Sequence, residues 1–182
     1  MFSSYRPKNS FDEYFKDNVN SAREILIPLL SSLDNMGLEE LNRNHSAAKK
    51  LLLRHGATFR LNDTGLKGTE RILPFDPLPR IISKDDWVTL EKGLKQRLEA
   101  IDLFLDDIYN SQNIINDGII PRELIESSEG WRPQMIGFKP PLNKWCQISG
   151  LDLIRDRKGD WHILEDNLRC PSGVAYFLEN RL

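Results

Sequence analysis

The hydrophobic pattern of this chain has helical spacing over most of its length and becomes strand-like only near the end. Residues 1–20 are polar and aromatic without a clear period and read as a loosely packed lead-in. Leu26, Leu29, Leu30 and Leu33 then recur at three- and four-residue spacing, the apolar stripe of a helix over residues 21–34. Ser21 is placed to cap that helix, with Glu24 three residues on as the capping-box partner. A second helix is predicted over 38–55 and is stopped by Gly56, because glycine accepts the left-handed conformation of a C-terminal cap. Residues 57–61 alternate weakly, as a strand does. The stretch that follows holds Gly65, Gly68, Pro74, Pro77 and Pro79 and reads as a connector. The clearest helix spans 83–109, where Trp87, Leu90, Leu94, Leu98, Ile101 and Leu105 keep the period. A short piece closed by Asn116-Asp117-Gly118 comes next. Pro121 then opens another short helix, where its missing N–H costs nothing. Residues 130–144, with Pro133, Pro140 and Pro141, form a second connector.

Alternation begins after that connector. Residues 146–155 and 161–165 read as two strands joined by Asp156-Arg157-Lys158-Gly159-Asp160, in which Gly159 can take a positive φ. The expected class is α+β, a helical N-terminal region followed by an antiparallel β-hairpin region.

Composition narrows the function. The 182 residues suit one domain or slightly more, and 40% hydrophobic residues are enough for a core. Charged residues make up 29% with a formal net charge of -2, so there is no basic field to attract nucleic acid. No apolar run approaches the ~18 residues of a membrane span. The N-terminus lacks the apolar core of a signal peptide, and Cys146 and Cys170 are expected as reduced thiols, so the expected location is cytoplasmic. The three histidines, His45, His55 and His162, are too dispersed for a zinc site, and His162 receives no role. Gly65-Leu66-Lys67-Gly68-Thr69 lacks the spacing of a phosphate-binding loop. Asp106-Asp107 on the long helix reads as a solvated edge.

The hairpin carries the chemistry. Glu165 and Asn167 are two apart and share a strand face, and Asp152 on the partner strand reaches that face if the register allows. Two carboxylates and a carboxamide around one point offer oxygen donors, which magnesium prefers. Arg169 continues the alternation and suits a phosphate oxygen. The same residues also fit a solvated outer face of a hairpin. Leu151, Leu153, Ile163 and Leu164 imply packed strands, in which a half-buried carboxylate needs a partner.

The pattern D-L-x(10)-L-E-x-N-x-R-x-P-S-G resembles the metal-binding lobe of ATP-grasp ligases. Other segments, in order, resemble the circularly permuted ATP-grasp family, which is related to the ligase domain of glutathionylspermidine synthase. They are residues 72–80, Trp87, 93–97, 104–109, 117–121 and 178–181. The resemblance covers about residues 57–182 and reaches the first fifty only loosely. It implies that 1–56 is a helical lead-in and that 57–182 is the N-terminal portion of a permuted ATP-grasp domain, incomplete and truncated at 182.

The resemblance also implies a function. Asp152, Glu165 and Asn167 would hold Mg2+ on ATP, and Arg169 would steady a phosphate or an acyl phosphate. Ser172 and Gly173 would offer backbone N–H groups to an anion, or serve as an ordinary N-cap. Arg71 and Arg80 are weaker candidates for a substrate carboxylate, against a reading as solvated loop charges. The expected role is part of an ATP-dependent carboxylate–amine or carboxylate–thiol ligase acting through an acyl phosphate, contributing a Mg-ATP half-site and inactive alone. Its expected partners are ATP, a carboxylate substrate of peptide or amino-acid type, and a second chain supplying the remaining portion. The alternative is a non-catalytic nucleotide-binding or protein-interaction module derived from the fold. Gly150 stands where some ATP-grasp ligases carry an arginine, two residues before the aspartate.

Overall fold

A computed structural model describes residues 2, 4–5, 10–16, 21–60, 70–72, 74–179 and 181; for 59, 60, 70, 71 and 179 it describes the backbone alone. The chain mixes helices and strands, as the α+β class requires. Two compact units divide it: Met1–Lys84 with Leu153–Leu164 and Ser172–Leu182, and Asp85–Asp152 with Glu165–Pro171.

In the first unit the core forms around Phe15, Leu26 and Leu30, with Leu29, Tyr14, Ala22 and Ile81 packed against it. The described part of the lead-in is therefore not loose. The Asp12 carboxylate accepts the N–H groups of Tyr14 and Phe15 at 2.8 and 2.9 Å, a local turn that aims Phe15 inward. Phe15 then bridges Ala22 in antiparallel fashion, and Lys16 N–H donates to the Ser21 carbonyl at 2.9 Å. The Ser21 carbonyl is taken up beside that bridge, and no side-chain cap forms at the start of the helical segment. A 3-10 turn, Glu24–Leu26, leads into α1 (Ile27–Arg54), with Pro28 in its first turn. The helix breaks at Gly37, whose φ of 77° and ψ of 161° are essentially confined to glycine, so two helical runs result, as the apolar pattern predicts. Past Gly56, β1 (Thr58–Arg60) pairs antiparallel with β2 (Glu70–Ile72), Thr58 opposite Ile72. The sequence reading has only the first of these strands, because the glycines and prolines around the second make it look like a connector. Gly65 and its neighbours through Thr69 lie outside the described residues.

In the second unit α2 (Lys84–Tyr109) follows its predicted span closely. Asp85 and Asp86 in its first turn complement the helix dipole. Leu90, Ile108 and Tyr109 are buried, Leu94, Leu98, Ile101 and Leu105 half-buried, and Trp87 stands exposed. Tyr109 is stacked between Trp131 and Trp145, at centroid distances of 4.6 and 5.0 Å. Aromatic stacking of this kind contributes about 0.5–1.5 kcal/mol per pair beyond area burial. Asp107 is not a solvated edge: its carboxylate accepts the N–H groups of Asn113 and Ile114, both at 2.9 Å, and caps α3 (Asn113–Asn116). Asp106 accepts the Asn110 amide at 3.2 Å. Pro121 precedes α4 (Arg122–Glu126) as predicted.

The last elements are β3 (Gly150–Arg155), β4 (Trp161–Asn167) and α5 (Gly173–Glu179), with β3 and β4 paired in one sheet. Between the strands, Asp156 N–H donates to the Asp160 carbonyl at 3.0 Å, and Gly159 takes a φ of 93°. The first strand starts at Gly150 rather than at Cys146. The Trp145 and Cys146 N–H groups donate to the Asp102 carboxylate, so they are committed to a side chain instead of a ladder. Among the described residues no helix is long and apolar enough to cross a membrane.

Candidate functional site

The open end of the hairpin, Gly150–Asp152 with residues 165–167, belongs to the second unit. The structure brings Asp152 and Asn167 together across the two strands: Asn167 Nδ2 donates to Asp152 Oδ1 at 3.4 Å. Glu165 stands two residues before Asn167 on β4, and strand alternation puts the two on one face. Asp152 and Glu165 are exposed and Asn167 is half-buried. Among the described residues no three His, Cys, Asp or Glu side chains cluster as a metal site, so the candidate set is two carboxylates and a carboxamide.

Arg169 follows β4 and is exposed, and Ser172 and Gly173 lie at the start of the seven-residue α5. Arg71 has its backbone opposite Phe59 in the β1–β2 pair, and its side chain lies outside the description. Arg80 Nε is 3.5 Å from the Glu13 carboxylate, which also pairs with Arg155 at 3.2 Å. The guanidinium of Arg155 lies over the rings of Phe11 and Trp161, at 4.7 and 4.3 Å. Arg80 thus has a carboxylate neighbour while its side chain stays 57% exposed. His162 faces Asp156 in the hairpin turn at 3.4 Å.

Two further charged groups in the second unit contact the segments that carry the candidate ligands. Arg97 on α2 grips Asp166 in a fork, Nε to Oδ1 at 2.7 Å and Nη2 to Oδ2 at 2.6 Å. The Arg97 guanidinium holds the Asp166 carboxyl below the usual carboxylate range, against a smaller upward push from burial. Asp102 is buried on the same helix. Burial alone would raise its carboxyl, but the Lys144 ammonium at 3.0 Å and the N–H groups of Cys146 and Trp145 together hold it below its ordinary value. Burial, then the Asp102 charge, push the Cys146 thiol up. Sequence reasoning quotes Arg97 only inside a motif and passes over Asp102, because their partners lie 69 and 42 residues or more away. The one sequence signal is a charged residue on the half-buried stripe of an amphipathic helix. A cleft beside Asp102, lined by Glu99, Asp106, Lys139 and Lys144 among others, includes none of the metal, phosphate or substrate candidates read from the sequence.

Gly150 has a steric reason to lack a side chain. A Cβ there would come within 2.9 Å of Pro171 Cβ. The arginine that some ATP-grasp ligases carry at this point does not fit this backbone.

Residues 79–182 match the family model for circularly permuted ATP-grasp type 2. The chain belongs to that family. The matched span contains the whole hairpin and α2 with Arg97 and Asp102. Similarity to other proteins extends over a wider range of the sequence. An uncharacterized protein of Synechocystis sp. is 48% identical over 182 residues, all of this chain and 37% of its own length. An uncharacterized protein of Mycobacterium tuberculosis is 41% identical over 172 residues, 94% of this chain and 30% of its own. A protein of Frankia alni named as a glutamate–cysteine ligase is 34% identical over 183 residues, 100% of this chain and 20% of its own. The permuted ATP-grasp chain thus spans about a third or less of the length of these relatives.

Proposed function

We propose that the open end of the hairpin is the magnesium-ATP half-site of an ATP-dependent carboxylate ligase. The observation that carries the reading is the approach of Asn167 to Asp152 at 3.4 Å, which joins donors from both strands at one place. The donor set fits the ion, because carboxylate and carboxamide oxygens are hard ligands and suit magnesium. Asp152, Glu165 and the carbonyl oxygen of Asn167 would hold it. When bound, the ion offsets phosphate charge as that charge develops in phosphoryl transfer.

The reaction supported by family membership joins a carboxylate to an amine or a thiol. A substrate carboxylate oxygen attacks the γ-phosphorus of ATP, ADP leaves, and an acyl phosphate results. The nucleophile then displaces inorganic phosphate. Little of this needs covalent chemistry from the protein, so positioning and electrostatics dominate. In this scheme Arg169 supplies a planar guanidinium to a phosphate oxygen. The name carried by the Frankia relative, glutamate–cysteine ligase, supports an amino-acid carboxylate as substrate. The chain is assigned a contribution to the site rather than the whole of the activity.

Calorimetry with Mg-ATP on the parent chain and on Glu165→Ala tests this. The parent is expected to bind and the variant to bind at least tenfold more weakly, the order of loss when a ligand is removed from a site of few donors. Equal heats from the two proteins, or none from the parent, refute the half-site.

A further inference from the structure

We propose that Arg97 is a positioning residue for this half-site: through Asp166 it fixes the face on which Glu165 and Asn167 present their oxygens. The inference rests on the metal reading and adds a residue to it. Asp166 sits between the two ligands in sequence, so strand alternation turns it to the opposite face. The fork of Arg97 therefore pulls on the back of the strand and leaves the ligand face open. Both N–O distances are short and the contact is bidentate, so it constrains orientation as well as distance. A lysine ammonium could supply the charge but not the planar fork.

A second contact on the same helix completes the device. Asp102, five residues on from Arg97, holds the N–H groups of Trp145 and Cys146, the segment that runs into β3 and so toward Asp152. One helix thus grips both chain segments whose ligands must converge. Groups that orient metal ligands without touching the ion commonly change metal affinity by about 10–100-fold when removed. The pair itself is half-exposed, 45% for the Arg97 side chain and 20% for Asp166, so it contributes little to stability and its orienting role can be measured separately.

The experiment uses Mn2+ alone as the probe, read by the loss of the free-ion electron paramagnetic resonance signal. The proteins are the parent chain, Glu165→Ala, Arg97→Met, Arg97→Lys, Asp166→Asn, and the double variant Arg97→Met/Asp166→Asn. Arg97→Met and Asp166→Asn should each weaken Mn2+ binding by about tenfold. The double variant should lose no more than either single, since both changes break one contact. Arg97→Lys should fall between parent and Arg97→Met. Melting temperatures should stay within about 3 °C of the parent. Asp166→Asn preserves side-chain shape and keeps the test alive should Arg97→Met fail to fold. Parent-like affinity in both single variants, additive losses in the double, or affinity that falls only together with melting temperature would overturn the positioning role while leaving the half-site standing. No binding by the parent, or a Glu165→Ala that binds like the parent, removes the half-site and this inference with it.

Discussion

Asp102→Ala isolates the contact that anchors the entrance to β3. The Asp102 side chain is 9% exposed and accepts from Lys144 Nζ at 3.0 Å, Trp145 N–H at 2.9 Å and Cys146 N–H at 3.2 Å. Truncation leaves two backbone donors without an acceptor, each costing about 1–3 kcal/mol, with the lower end apt because the segment is only half-buried. Lys144, 54% exposed, returns to water at a cost of less than about 1 kcal/mol. The sum is about 2–4 kcal/mol. For a chain of this length that corresponds to a fall in melting temperature of roughly 4–16 °C. Urea titration followed by tryptophan fluorescence measures it directly, because Trp131 and Trp145 both stack on Tyr109 in the unit that Asp102 supports. Asp102→Asn keeps one acceptor oxygen and should lose about half as much. The carboxyl is depressed in the folded state, so its charged form is favoured by folding. The stability difference between parent and Asp102→Asn is therefore full above the ordinary carboxylate range, near ~4, and shrinks as pH falls below it through the folded value. A loss below about 0.5 kcal/mol for Asp102→Ala, or a difference that persists unchanged into strong acid, would refute this account.

Gly150→Ala should destabilise by about 1–3 kcal/mol, since the added Cβ meets Pro171 Cβ at 2.9 Å; a melt indistinguishable from the parent would show that Pro171 moves freely. Glu13→Ala should cost about 1–3 kcal/mol in urea titration, because the 12% exposed Arg155 side chain loses one of its hydrogen-bonded charge partners. The same variant frees Arg80 from its internal partner. Glu165→Ala should change stability by less than about 0.5 kcal/mol while weakening Mg-ATP binding, as befits an exposed side chain kept for a ligand rather than for packing. A large loss of stability in that variant would count against the metal role.

Local order was legible in the sequence because it is written at short range. The apolar spacing marked α2 to within a residue and divided the first helical region into two runs, and Gly159 marked the turn of the hairpin. Strand alternation put Glu165 and Asn167 on one face, and the order of motifs pointed to the permuted ATP-grasp family. Each of these depends on residues within a few positions of one another, where helix and strand geometry set which side chains are neighbours.

Only the tertiary structure decided what meets across distance. Alternation says which residues of one strand share a face, but not which residue of the partner strand stands opposite, so the approach of Asp152 to Asn167 needed the actual pairing. The second strand of the β1–β2 pair was hidden by its neighbours' turn-forming residues. Phe15 joined the core because Asp12 bends the chain beneath it and Ala22 bridges it from across the turn. The choice of Asp166 by Arg97, and of Trp145 and Cys146 by Asp102, joins groups that are independent along the chain and adjacent only once it has folded. A charged side chain announces in sequence that it needs a partner. Which partner it finds is settled by burial and geometry, because only the packed chain removes the alternative of water.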